Sequence, residues 1–104
     1  MSIIHSVVLD ELDRSRRMRQ AYELELSALP REAIVRKRIK GHEYYCWMSR
    51  KNGKVVNRYV SPQDNDIPQL LQQDLRRRHL IQLIAKLKKE QSEMERFLKV
   101  SKND

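Results

Sequence analysis

The spacing of apolar residues divides the chain into three zones, with a helical period at both ends and a β period in the middle. Between Ser2 and Leu29 there is no glycine or proline. Mostly apolar positions recur there at steps of three and four, the period of an amphipathic helix. They are Ile4, Val8, Leu12, Ser15, Arg19, Tyr22, Leu26 and Leu29. This spacing predicts a helix over about residues 2–29 that ends before Pro30.

The last zone predicts a second, longer helix. Asp66 is placed to cap it, and Pro68 falls in its first turn, where a missing N–H costs little. A regular alternation of three and four follows at Leu80, Leu83, Leu87, Glu90, Met94 and Phe97. The apolar face is widened by Leu70, Leu71, Ile81, Ile84 and Leu98. We expect a helix over about residues 66–100, packed antiparallel on the first, with a frayed tail at 101–104 and apolar surface left for self-association.

The middle zone, about residues 33–61, predicts a three-stranded β-meander. Asn52-Gly53 between alternating segments is a strong hairpin signal and sets Trp47 opposite Arg58. Gly41-His42 offers a second two-residue turn, which would set Arg38 opposite Tyr45. The same turn would set Arg36 opposite Trp47.

Side-chain alternation then assigns the meander residues to two faces. One face would carry Ile34, Arg36, Arg38, Lys40, Tyr45, Trp47, Lys54, Val56, Arg58 and Val60. The other would carry Val35, Lys37, Ile39, Tyr44, Cys46, Met48, Val55, Asn57 and Tyr59. Because the second face is the more apolar, we expect it to pack on a helix and to leave the arginine-rich face outward. A turn longer by one residue would exchange the faces.

Together these zones predict an α+β fold: a long antiparallel, coiled-coil-like helical hairpin joined by a small three-stranded antiparallel β-meander. With 104 residues, 39% of them hydrophobic, we expect a single domain over residues 1–104. Cys46 is the only cysteine, so no intrachain disulfide forms. No run reaches the roughly 20 apolar residues of a membrane span, and the first residues do not resemble a secretory signal. The expected compartment is the cytoplasm.

Charge is concentrated in the meander. Between Arg31 and Val60 there are nine Lys and Arg against only Glu32 and Glu43, in a chain whose net charge is +8. Four of the six aromatic residues lie in the same segment. Basic groups interleaved with aromatic rings favour a polyanion, most directly nucleic acid. The candidate binding residues are Arg36, Arg38, Lys40, Tyr45, Trp47, Lys51, Lys54 and Arg58.

A structural interpretation of the same residues stays open, in which Arg36 and Arg38 shield Trp47 by cation–π stacking on a solvated face. The run Arg76–Arg78 spreads over most of a helical turn, so it is either a solvated patch or an extension of a basic groove.

Enzymatic function finds little support. His5, His42 and His79 are dispersed over three zones, without metal-ligand spacing to Cys46 or a carboxylate. Cys46 lies on the more apolar face, where a core thiol is expected, and there is no phosphate loop or nucleophile elbow. We expect no catalysis, metal or cofactor.

Four short motifs in the middle of the chain are Leu29–Val35, Lys40–Tyr45, Gly53–Val55 and Arg58–Pro62. With the long helix that follows, over about residues 29–100, they resemble an uncharacterised family of short bacterial and archaeal proteins that is often associated with mobile elements. The resemblance implies a helix, a small β-meander and a helix. Many members carry extra cysteines, which this chain lacks, so no metal-linked property follows. By topology alone, the meander is also similar to the arm-binding domains of phage integrases, in which a three-stranded sheet reads DNA.

The leading hypothesis is therefore a non-enzymatic nucleic-acid-binding or accessory protein of a mobile element, with DNA the favoured partner and a homodimer formed through the helices. Two alternatives remain open. One is a protein-interaction module, such as a phage-type inhibitor of a nucleic-acid-processing complex. The other is a structural coiled-coil dimer.

Overall fold

The structure, a computed structural model, describes residues 2–101. Its elements, in chain order, are α1 (Ile3–Ser27), β1 (Ala33–Ile39), β2 (His42–Lys51), β3 (Lys54–Tyr59) and α2 (Ile67–Ser101). The strands form one antiparallel sheet in the order β1-β2-β3. The predicted α+β helix–meander–helix fold is thereby confirmed.

The described residues fall into two units. A helical unit contains the residues up to Ala28 and those from His79 onward, and a sheet unit contains Leu29–Arg78. Helix α2 contributes residues to both units.

In the helical unit, α1 packs antiparallel on the second part of α2, as predicted. Residues early in α1 meet residues late in α2: Nδ1 of His5 lies 2.6 Å from Oγ of Ser101. Further along α1, Arg19 Nη1 donates a hydrogen bond of 3.0 Å to Oε1 of Gln91. Ser2 caps α1 through a 3.0 Å hydrogen bond from the His5 backbone N–H. The antiparallel direction of the two helices therefore follows from the contacts themselves.

The predicted stripes largely coincide with the buried positions of the helical unit. Leu12 and Ser15 are buried on α1. The buried residues on its α2 partner are Leu80, Ile84, Leu87 and Gln91. Towards the ends of the stripes, Ile4 and Phe97 are exposed. Two of these buried residues, Ser15 and Gln91, are polar, and they are hydrogen-bonded to each other.

The sheet unit turns at two β-hairpins, and the first lies one residue earlier than the sequence predicts. The predicted Asn52-Gly53 turn is confirmed, with φ of 55° and 77°. The first turn is Lys40-Gly41 and not Gly41-His42, with φ of 51° and 80°. Positive φ at both central residues defines a type I′ turn, whose twist matches the flanking strands. Gly41 therefore occupies the second central position of a type I′ turn, and Lys40 takes the left-handed conformation at the first.

The shift of the first turn changes the β1–β2 register. Arg36 pairs with Tyr45 and Ile34 with Trp47, whereas the predicted partners were Trp47 for Arg36 and Tyr45 for Arg38. The Trp47–Arg58 pair between β2 and β3 is as predicted. Since the register moved by two residues, the division of side chains between the faces is unchanged.

The first part of α2 belongs to the sheet unit and begins as expected. Oδ1 of Asp66 accepts a 3.2 Å hydrogen bond from the backbone N–H of Gln69, and Pro68 lies in the first turn. The helix continues to Ser101, so the predicted fraying does not include that residue. The rest of the predicted tail, 102–104, lies outside the described residues.

Candidate nucleic-acid interface

The two faces of the sheet differ in composition, and each is named here for its most prominent side chains. The arginine face is formed by alternate strand residues Ile34, Arg36, Arg38, Glu43, Tyr45, Trp47, Ser49, Lys51, Lys54, Val56 and Arg58, continued by Val60. The tyrosine face is formed by Ala33, Val35, Lys37, Ile39, His42, Tyr44, Cys46, Met48, Arg50, Val55, Asn57 and Tyr59.

The prediction that the more apolar face would be covered is wrong. The only two sheet-unit hydrophobic residues in the described core, Ile34 and Val60, are 3% and 1% exposed and lie on the arginine face. Trp47 beside them is half-buried. The tyrosine face instead leaves a set of large hydrophobic side chains exposed: Ile39, Tyr44, Met48, Val55 and Tyr59.

The arginine face is the covered one because its apolar residues are contiguous. Ile34 and Trp47 are cross-strand partners, and the Val60 N–H donates a 2.9 Å hydrogen bond to the Tyr45 carbonyl on the same strand as Trp47. Within the sheet unit, Asp74 of α2 accepts a hydrogen bond from the Ile34 N–H. The arginines around this patch are exposed, as expected for side chains whose charged ends remain in water.

The predicted binding residues divide into two kinds. The cationic ones, Arg36, Arg38, Lys40, Lys51, Lys54 and Arg58, are all exposed. The aromatic ones, Tyr45 and Trp47, are half-buried. Tyr45 and Trp47 therefore take part in packing, whether or not they also contact a ligand.

The cationic residues lie in separate groups along the sheet. Lys40 is in the first turn, near Arg38 at the end of β1. Lys51 and Lys54 are cross-strand partners beside the second turn, at the opposite end of β2. In a meander the two turns lie at opposite ends of the middle strand. Arg38 and Lys40 are therefore separated from Lys51 and Lys54 by the length of β2, and these cations do not form one cluster.

Two of the arginines have carboxylate partners. Arg36 Nη1 lies 3.8 Å from Oε1 of Glu43, and Arg58 Nη2 donates a 3.2 Å hydrogen bond to Oε1 of Glu32. Both arginine side chains are well exposed, so these pairs contribute little to stability. A phosphate could replace the carboxylate at small cost.

The tyrosine face carries an exposed aromatic array that the sequence prediction assigned to the core. The Tyr44 and Tyr59 ring centroids are 6.3 Å apart with an angle of 64° between their planes. The His42 ring lies 6.4 Å from the Tyr44 ring. No strand residue on this face is Asp or Glu. The absence of carboxylates from this face was visible in the sequence, and it is the signal that could have identified the face as one suited to anions.

A depression of about 370 Å³ lies next to this array, and four of its lining residues belong to the tyrosine face: Ala33, Met48, Arg50 and Val55. Its other lining residues are Arg31, Glu32, Ser49 and Arg77, so three arginines and one glutamate line the same depression. Arg77 Nη2 donates a 3.1 Å hydrogen bond to Asp74, while its Nε is buried without a hydrogen-bond partner among the described residues.

On the other side, a depression of about 280 Å³ is lined by Trp47, Arg58 and Leu70 together with Pro30, Arg31 and Glu32. Leu70 belongs to the part of α2 that lies in the sheet unit. This depression therefore combines the apolar side chains of Trp47 and Leu70 with the arginine Arg58.

Within residues 2–101, no three His, Cys, Asp or Glu side chains are grouped closely enough to hold a metal ion. Cys46 is a half-buried free thiol. Neither described helix has a segment long and apolar enough to cross a membrane.

Comparison of the chain with protein-family models, with curated proteins and with solved structures finds no match. Its function is therefore inferred from its own residues.

Proposed function

We propose that the protein is a non-enzymatic nucleic-acid-binding protein whose β-meander supplies the contact surface. The observation that carries the proposal is the position of the charge. Leu29–Arg78, the sheet unit, has 12 Lys and Arg against five Asp and Glu, which accounts for +7 of the net +8. The predicted cationic contacts of that unit are exposed. Such a surface attracts a polyanion and releases its counterions on binding.

The cations at the two ends of the sheet are assigned to phosphate contacts. Arg38 and Lys40 serve one end, and Lys51 and Lys54 serve the other. Arg36 and Arg58 lie between them and exchange their carboxylate partners for phosphate. Arginine is well suited to this exchange because its planar guanidinium group binds carboxylate and phosphate in the same bidentate geometry. The further assignment to a mobile element, and DNA as the favoured partner, rest on the sequence resemblance and topology described above.

The proposal is tested by measuring affinity for short DNA and RNA at several salt concentrations. A binding constant that falls steeply with salt is expected, with a logarithmic slope of about −0.7 to −0.9 per phosphate contact. The triple variant Arg38→Ala, Lys51→Ala, Lys54→Ala should make that slope shallower by about two units or more.

A matched control removes the same charge from the helical unit through Arg14→Ala, Arg17→Ala and Lys88→Ala, all at exposed positions. This control should leave the slope within about half a unit of the native value, since only contacting cations release counterions. Failure to bind any nucleic acid at low salt would rule the function out.

A second candidate, a homodimer through the helices, is favoured by apolar side chains left exposed in the helical unit. Ile3, Ile4 and Val7 of α1 and Val100 of α2 are all exposed. A groove of about 330 Å³ in the same unit is lined by Val8, Met94 and Phe97, with Glu11, Glu90 and Glu93 at its polar positions. A second copy could cover this surface, which would serve either a structural dimer or a protein-interaction module.

Light scattering over a concentration series tests the dimer. A mass of about twice 12.5 kDa is expected for the native chain. The variant Val7→Glu, Val100→Glu should shift it towards the monomer, whereas Leu24→Glu, another exposed α1 position, provides the control. A monomer at all concentrations would eliminate the dimer without affecting nucleic-acid binding.

A further inference from the structure

We propose that the tyrosine face binds single-stranded nucleic acid, with unpaired bases stacked on Tyr44 and Tyr59 and phosphates held by the arginines of the adjoining depression. This inference rests on the proposed nucleic-acid binding and specifies its form. It also assigns the base contacts to the face opposite to the one that the sequence predicts.

The first support is the exposure and arrangement of the rings. Tyr59 is 58% exposed and Tyr44 is 38% exposed on a sheet surface. Stacking of a base on an exposed aromatic ring is favourable and tolerates any base. Because the two ring planes are inclined by 64°, bases on both rings would point in different directions. A flexible single strand can adopt that arrangement, whereas the parallel, paired bases of a duplex cannot.

The second support is the charge around the rings. Lys37 is the cross-strand partner of Tyr44, so a cationic residue neighbours the first ring on the same face. Arg50 lies on the same face, and Arg31, Arg77 and Glu32 line the depression with it, so three arginines stand against one carboxylate that also pairs with Arg58. The strands contribute no carboxylate to this face. A ligand that offers aromatic surface and negative charge in alternation fits these groups, and a polynucleotide strand has that composition.

The dimensions of the face allow more than one nucleotide. From His42 to Arg50 the strand β2 advances eight residues, or about 26 Å at 3.3 Å per residue. Tyr44 lies near one end of this span, and the arginine-lined depression begins at Met48. The rings and the guanidinium groups thus contact successive parts of one strand.

The same charge disfavours the other occupants of an exposed apolar sheet face. Two copies of this chain placed face to face would bring together two surfaces whose strand residues include Lys37 and Arg50 but no carboxylate to pair with them. Like charges held directly opposite one another are destabilising. An apolar protein segment would bury the cations without pairing them. A polyanion pairs them.

The test measures binding of a fluorescent twelve-nucleotide oligothymidylate, the matching oligouridylate and a duplex of equal length. We expect the native protein to prefer single strands and to bind both the DNA and the RNA oligomer, because neither stacking nor phosphate pairing needs the 2′-hydroxyl. The variant Tyr44→Leu, Tyr59→Leu should lower single-strand affinity at least about tenfold, the effect of losing roughly 1.4 kcal/mol of stacking. Duplex affinity should change less than about twofold, because phosphate contacts supply it.

Two matched controls separate stacking from folding. Tyr44→Phe, Tyr59→Phe keeps both rings and should retain single-strand affinity to within about threefold, since the ring faces carry the contact. Tyr22→Leu removes a ring from the helical unit, away from the proposed contact surface, and should leave single-strand affinity unchanged. Circular dichroism confirms that each variant is folded. A Tyr59→Trp variant adds a reporter whose fluorescence should be quenched by oligothymidylate but not by the duplex.

The outcomes distinguish this inference from the proposed function. If the native protein binds duplex and single strands equally and the leucine variant is unchanged, the stacking surface is refuted while nucleic-acid binding stands. If neither form binds at low salt, both fail. Loss of affinity in the phenylalanine variant would also refute stacking, because that variant removes only the hydroxyl groups.

Discussion

The backbone N–H of Ile34 donates a 3.3 Å hydrogen bond to Oδ1 of Asp74, forty residues further along the chain. Asp74 also pairs with Arg77 at 3.1 Å and with Arg78 at 2.8 Å, and its side chain is only 7% exposed. One carboxylate therefore joins the start of β1 to α2 and pairs with two of the three consecutive arginines. The Arg76–Arg78 run is thus in part a structural feature of the sheet unit.

Asp74→Ala should destabilise the protein by about 2–4 kcal/mol, because it leaves a buried N–H and a largely buried guanidinium group without their acceptor. Asp74→Asn keeps an acceptor for Ile34 but loses the charge, so a smaller loss is expected. The measurement is the free energy of unfolding from urea titration. Asp64→Ala, at an exposed position, is the control and should change it by less than about 0.5 kcal/mol. Equal stability of Asp74→Ala and the native chain would contradict this structural role.

Local signals predicted the elements well because each depends on neighbouring residues. The Asn52-Gly53 turn, the Asp66 cap and the stripe through Leu12 and Ser15 are all determined within a few positions of the chain. The first turn was misplaced because Gly41 suits two kinds of turn. Type II′ requires glycine first, whereas type I′ accepts Lys40 before it at some steric cost.

The covered face of the sheet could not be predicted from local signals. Counting apolar residues favoured the tyrosine face, but coverage followed the contiguity of Ile34, Trp47 and Val60. A long-range contact such as Ile34 with Asp74 leaves no periodic trace in the sequence. The predicted phosphate-binding cations are nevertheless exposed, because Lys and Arg remain solvated on either face.

Lys40→Asn should stabilise the protein by about 0.5 kcal/mol, because asparagine tolerates the left-handed backbone that Lys40 adopts at φ 51° and Asn-Gly is the preferred type I′ pair. Lys40→Val should destabilise it, because β-branched residues fit that region poorly. Thermal unfolding of the three proteins measures both effects. A Val variant as stable as the Asn variant would contradict the turn assignment.

The same Lys40→Asn variant should weaken nucleic-acid binding while it strengthens the fold. It removes one cation from the group assigned to phosphate contact, so the salt slope should become shallower by about 0.7–0.9. Lys40→Arg keeps the charge and serves as the control. Since stability and affinity move in opposite directions, a loss of binding cannot be attributed to unfolding.

Gln91 joins the two helices of the helical unit through two hydrogen bonds, one buried and one partly buried. Its Nε2 donates a 3.0 Å bond to Ser15 Oγ, and its Oε1 accepts a 3.0 Å bond from Arg19. Ser15→Ala should destabilise the chain by about 1–2 kcal/mol, because a buried amide donor loses its acceptor. The double variant Ser15→Ala, Gln91→Leu should lose at least about 1 kcal/mol less than the sum of the single variants. Strict additivity in urea unfolding would indicate that the two side chains are not coupled.

Trp47 and Arg38 lie on the same face of the sheet, but substitution of Trp47 should lower stability, whereas substitution of Arg38 should lower affinity for oligonucleotides. Trp47 is half-buried beside Ile34 and lines a depression with Leu70, so Trp47→Ala should reduce the free energy of unfolding by about 2–4 kcal/mol. Arg38 is exposed, so Arg38→Ala should change stability by less than about 0.5 kcal/mol while lowering affinity for oligonucleotides. Urea unfolding and fluorescence anisotropy on the same preparations measure the two properties. If Trp47→Ala kept full stability and lost only binding, the ring would be a ligand contact and not part of the core.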